Sequence, residues 1–313
     1  MPGRIRVFPF AGPRVAISSI FLVAGLTAGT WFSRIPAVTS NLDLDKGQIG
    51  SLLLFLSVGS LVAFQVIGRL VLRFGSARVT QVAAWVAVAT LPLLAVAPTP
   101  FAAGVVLFLL GIGIGSTGVA MNAQGVTVQT ALGRPIMSSL HGFFTLGTLV
   151  GSVVGGVMAE LGVGPSPHFA AMTAIGLVVV VFAAPGLLAD VRTSGEERGG
   201  GISLPPRALW PLGVLTFCAG LGEGSMYDWS ALYVHDELGA AESTGALAFA
   251  TFSLAMLIGR FAGDAIVARL GTVRVVRLGS LIAATGLSIG LAVDTIASVF
   301  IGFACLGIGL SAL

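Results

Sequence analysis

The chain repeats itself across its middle. RFGSARV at residues 73–79 returns as RLGTVRV at 269–275, a shift of 196 positions. The same shift carries LGIG at 110–113 onto LGIG at 306–309 without a gap. It also carries Arg14, where the first long apolar run begins, onto Trp210, where apolar sequence resumes after a polar stretch. Three anchors at one offset mark a duplicated half-unit. Each copy of the motif is a short arginine loop between apolar runs of about 20 residues, the length that crosses a bilayer as a helix. The expectation is an all-α integral membrane protein, a helix bundle in two halves.

Composition closes other routes. Only 9% of residues are charged and 56% are hydrophobic, whereas soluble domains carry about 25% charged residues. An isoelectric point near 9.4 would suit a nucleic-acid binder. The basic residues, however, sit singly or in small groups between apolar spans, with no stripe and no interleaved aromatics, so no nucleic-acid partner is expected. Cys218 and Cys305 lie inside apolar runs and read as small core residues. The single lysine, Lys46, is followed by Gly47 and Gln48, which is not the ending of a phosphate-binding loop. GIGSTG at 113–118 spells a dinucleotide fingerprint, but it lies in an apolar span and the next acid, Glu160, is too distant to hold a ribose. HDE at 235–237 has no second ligand cluster. Neither an enzyme, a metal site nor a cofactor is expected.

Ten spans follow from the apolar runs: about 15–32, 48–70, 78–97, 101–125, 138–161, 168–189, 208–234, 244–266, 274–293 and from 296 onward. The first reads as a retained helix, interrupted at Arg34 and Pro36. Span four places Gly111, Gly115, Gly118 and Gly125 at helical spacing, and span five repeats the device with Gly147, Gly151 and Gly155. Such small-residue faces let neighbouring helix backbones approach closely. The expected domains are a six-helix half over 1–189, a cytoplasmic linker over 190–207, and an incomplete half over 208–313 with four helices. Leu313 maps onto Thr117 in the middle of span four, so two further apolar segments are expected downstream. Thirteen of the sixteen basic residues fall on one side of this topology; Arg34 and Lys46 fall on the other, and Arg260 lies within span eight. The positive-inside rule then puts the N-terminus in the cytoplasm.

Particular strings carry a family resemblance: MNAQGV at 121–126, RPIMSSLHGFF at 134–144, EGSMYDWSALYV at 223–234 and GRFAGD at 259–264, with arginine loops after spans two and eight. The chain resembles the major facilitator superfamily, and within it the bacterial branch related to fucose permease. That resemblance implies twelve spans, about ten of them present, and a secondary active transporter of the cell inner (plasma) membrane. It would move a small polar solute, such as a sugar, by alternating access with a coupling proton. The alternatives are a drug or metabolite efflux antiporter, and a non-transporting remnant or membrane sensor. The loop departs from the family pattern at Leu72, where Asp is usual, and at Ser76 and Ala77, which replace basic residues. Arg73, Gly75 and Arg78 remain, with Arg269, Gly271 and Arg274 in the second copy, as candidate gating loops. Gly118 stands where the branch has an acid before MNAQ.

Glu223 is the leading site candidate. It sits about 22 Å along span seven, near the centre of a hydrocarbon core roughly 30 Å thick. A charge there costs about 2.5–3.5 kcal/mol on insertion scales, so it should face a cavity or a partner. A proton carrier or solute acceptor is one reading, and a structural ion pair the other. Tyr227 and Ser230 share its helical face. Asp228 and Arg34, near the outer ends of spans seven and one, read as a gate or solute site, or as interfacial anchors beside Trp31 and Trp229. Asn122 and Gln124 read as interhelical hydrogen-bonding groups or solute contacts, and His141 as a helix-end histidine.

Overall fold

The computed structural model describes residues 12–44, 46–190, 206–240 and 242–311. Arg4 and Arg6 and the linker residues 191–205 lie outside that set. Among the described residues there is no strand. Ten helices run in order: α1 Pro13–Asn41, α2 Lys46–Phe74, α3 Ser76–Ala95, α4 Pro100–Leu132, α5 Met137–Glu160, α6 Pro165–Ala183, α7 Trp210–Leu232, α8 Glu242–Leu270, α9 Thr272–Val293 and α10 Ile296–Leu310. Eight of them are long and apolar enough to cross a membrane, and α10 is a shorter apolar helix. The remaining one, α7, carries Glu223 and the SMYDW string in its second half.

Helices outlast the apolar runs at several ends. The sequence breaks span one near Arg34 and Pro36, yet α1 continues to Asn41. Span four is expected to end at about 125, yet α4 reaches Leu132 and stops at Gly133, a left-handed residue with φ 62°. Glycine reaches that conformation at little steric cost and so ends a helix well.

Two compact units emerge: Met1–Gly133 with Phe143–Gly200, and Arg134–Gly142 with Gly201–Leu313. In the first, α4 packs on α2 and α3, and α6 packs on α1 and α3. In the second, α10 packs on α8 and α9.

The 196-residue shift holds at the level of single contacts. A side chain at Gly111 would overlap the Leu56 carbonyl, and one at Gly307 would overlap the Phe252 carbonyl, its equivalent. Gly113 abuts Ala87 in the first unit as Gly309 abuts Ala283 in the second. Thr99 caps α4 by accepting from the Ala102 N–H at 3.2 Å; Thr295 caps α10 by accepting from the Ser298 N–H at 3.2 Å. The arginine loops turn on Gly75 and Gly271, with φ of 89° and 78°. LGIG is therefore a pair of helix-crossing points: the first glycine of each copy admits one neighbour's backbone and the second admits another.

Candidate functional site

In the second unit, Glu223 of α7 faces Arg260 of α8. Arg260 Nη2 lies 3.3 Å from Glu223 Oε2, an ion pair between two helices whose partners are both partly buried. Arg260 is 11% exposed and Glu223 29%. Glu223 is thirteen residues into α7, about 20 Å along it, so the pair lies deep in the apolar zone. A charge that deep needs a partner, and each here supplies the other's. The repeat breaks at this point: Glu223 corresponds to Thr27 and Arg260 to Phe64. Thr27 bonds only back along its own helix, to the Val23 carbonyl at 2.8 Å.

Ser230, which the helical spacing puts on Glu223's face, donates instead to the Met226 carbonyl at 2.6 Å. The side chains of Tyr227 and Asp228 lie outside the described residues. His141, in the first turns of α5, lies close enough to Arg260 to feel its charge.

Below the ion pair, Asp264 closes the start of α5. Its two carboxylate oxygens accept from the N–H groups of Ser138 at 2.9 Å and Ser139 at 3.0 Å, and the Ser138 hydroxyl donates to the Arg260 carbonyl at 2.7 Å. An anion at a helix N-terminus satisfies orphan donors and opposes the positive end of the helix dipole. Gly263 lets this happen, since a side chain there would overlap the Ser138 hydroxyl.

The first unit has its own capped arginine loop. Asp190, just after α6, accepts from the Ser76 N–H, from the Ser76 hydroxyl, and from the Thr127 hydroxyl at 3.1 Å. Gln124 joins this cluster: its side-chain oxygen and Asp190 compete for the single Ser76 hydroxyl proton, and its amide donates to the Leu188 carbonyl at 3.1 Å. The serine that breaks the basic family pattern is thus the residue whose amide and hydroxyl meet Asp190. Asn122, two residues earlier on α4, bonds to the Gly118 carbonyl on its own helix at 2.8 Å. Arg73 lies over the Phe74 ring, 5.2 Å from its centroid.

Arg34 is 3% exposed. Its guanidinium donates to the carbonyls of Gly155, at 3.4 Å, and Val163. Of the sequence candidates, the structure brings Gln124 to the arginine loop, gives Glu223 an arginine, and seats Arg34 among carbonyls of α5 and the following loop. Arg260, Asp264 and Asp190 escaped the sequence reading. For Arg260 the signal was present, a lone base inside one span matching a lone acid inside another.

Eight helices long and apolar enough to cross a membrane, with contacts duplicated at the 196-residue shift, define a multi-pass membrane protein. The sequence profile of the Major Facilitator Superfamily matches residues 16–313, and the chain belongs to that family. It is 35% identical over 306 residues to the uncharacterised transporter y4wD of Sinorhizobium fredii (strain NBRC 101917 / NGR234), covering 96% of this chain and 80% of that protein. It is 30% identical over 309 residues to the membrane protein MosC of Rhizobium meliloti, covering 96% and 74%. Among solved structures its fold is similar to that of the transporter FucP in the outward conformation, with a TM-score of 0.73 at 16% identity, covering 96% of this chain and 87% of that one. The chain is a membrane transporter of this superfamily and not an enzyme.

Proposed function

We propose that the protein is a secondary active transporter that carries a small polar solute, of the sugar type, by alternating access, coupled to a proton at Glu223. The observation that carries this reading is the Glu223–Arg260 pair, 3.3 Å apart and only partly shielded. Arg260 is the counter-charge that makes a carboxylate tolerable at that depth; when the arginine is drawn away, a bound proton is the other way to neutralise it. A conformational cycle that alternates these two states takes up a proton in one and releases it in the other. The arginine distribution supports a cytoplasmic N-terminus in the bacterial inner membrane. Arg73 to Arg78 and Arg269 to Arg274 then act at the inner surface as the loops that hold one face of the cycle.

Membrane vesicles carrying the chain, supplied with radiolabelled pentoses and hexoses under an imposed pH gradient, test the reading. Accumulation should follow the gradient and collapse with a protonophore. Glu223→Gln should abolish accumulation while preserving downhill exchange of the same sugar. Gradient-driven accumulation by Glu223→Gln at the unmodified rate would place coupling elsewhere.

A further inference from the structure

In the first unit, where α1 and α5 end and α6 begins, buried hydrogen-bond donors outnumber acceptors around a charge that no described acid pairs. Arg34 is 3% exposed, and its terminal nitrogens meet only the carbonyls of Gly155 and Val163, which carry no formal charge. Its Nε is buried with no partner. Asp43 and Glu160, the described acids nearest the ends of α1 and α5 in sequence, are both exposed. His168, in the first turn of α6, is 2% exposed, and both of its ring nitrogens are buried and unpartnered. It borders the same Gly155 whose carbonyl accepts from Arg34 at 3.4 Å. Three and four residues before Arg34, on the same face of α1, the Trp31 indole N–H and the Thr30 hydroxyl are also buried without partners.

This inventory points in one direction. Guanidinium Nε and indole nitrogen donate only, a hydroxyl has one hydrogen to give, and a neutral imidazole has one N–H. Water would satisfy the donors but leave the charge, and a buried charge without a counter-charge is heavily penalised. The start of α6 adds a positive helix end beside His168. Space is short: a side chain at Gly155 would overlap the Ser33 hydroxyl and come within 3.4 Å of the His168 ring.

We propose that Arg34 and His168, with Trp31 and Thr30 beside them, form a buried site for one small monovalent anion in the first unit. Its chemistry is that of a halide or a carboxylate head group, and the source is either chloride from the medium or an acidic solute. The reading is independent of Glu223, which lies in the other unit.

Thermal unfolding of the purified 313-residue chain, followed at constant ionic strength, is the test. Sodium gluconate, too bulky for the site, is exchanged for chloride, bromide or formate. The midpoint should rise by about 2 °C or more and saturate, as for any ligand that binds only the folded state. Bromide should also quench a saturable part of the fluorescence, and Trp31→Phe should remove that part. His168→Phe should weaken the apparent affinity about tenfold, the size of one lost hydrogen bond to a charged group. Arg34→Gln should abolish the dependence; if that variant fails to fold, the His168→Phe titration decides. A response to halides alone assigns a resident inorganic ion, and a response to formate alone assigns a carboxylate; both support the site. The absence of any anion dependence, or a dependence unchanged in His168→Phe, overturns it.

Discussion

Glu223 and Arg260 each make the other tolerable inside a span. Removing one partner of a buried pair is more damaging than removing both, because the survivor keeps its charge without compensation. Arg260, the more buried of the two, is the worse one to strand. Glu223→Gln alone, which strands Arg260, should therefore lower the unfolding midpoint more than Glu223→Gln combined with Arg260→Gln. The double-mutant cycle should show a coupling of about 1–3 kcal/mol; single effects that simply add would mean the pair contributes no stability. Asp264 supports a second prediction at this scale. Asp264→Asn keeps the shape but loses the charge facing the Ser138 and Ser139 amides, and should destabilise by about 0.5–2 kcal/mol. Hydrogen exchange should then rise first at the beginning of α5. Glu223 was legible in the sequence because an acid in an apolar run stands out against its neighbours. Its partner was not chosen, because residue spacing says nothing about which face of another helix it meets.

Among the helices, the crossing points were the most legible feature, since small residues at helical spacing are a local and periodic signal. The duplication made them stronger still: Gly111 and Gly307 meet equivalent carbonyls. Gly111→Ala and Gly309→Ala should each cost about 1–3 kcal/mol, because the neighbouring backbone has to move. Gly220→Ala is the control; nothing lies within 4 Å of a side chain there, so the midpoint should hold or rise slightly. Equal losses in all three variants would show that helix propensity is not what separates these positions and that the close approaches do not matter. The caps on α3 and α5 were illegible for the opposite reason. Ser76 and Asp190 are 114 residues apart, and Ser138 and Asp264 are 126 apart. Helix boundaries also slipped where polar residues such as Arg34 sit inside a helix that tertiary contacts continue.

Across the whole molecule, duplicated positions keep their backbone contacts but differ in cover. Phe21 on α1 is fully buried, while its counterpart Phe217 on α7 is 69% exposed. In the first unit, α1 packs against α6 and its glycines Gly25 and Gly29 meet the backbone of α5. The two halves thus share a scaffold and differ in the charges they carry: Glu223 and Arg260 stand where the first half has Thr27 and Phe64. The arginine loops belong to the shared scaffold, each turning on a left-handed glycine. In vesicles that accumulate a sugar, Arg73→Ala should slow uptake several-fold with membrane insertion and binding intact; a variant that no longer inserts would reduce the loop to a topology signal. The cap on α5 has a consequence for how the chain is made. Its two amide donors leave the ribosome 126 and 125 residues before the carboxylate that receives them. At about 5–20 residues per second, that is an interval on the order of ten seconds. Throughout it the first turn of α5 is without this partner, and it settles only when α8 has been synthesised and laid alongside.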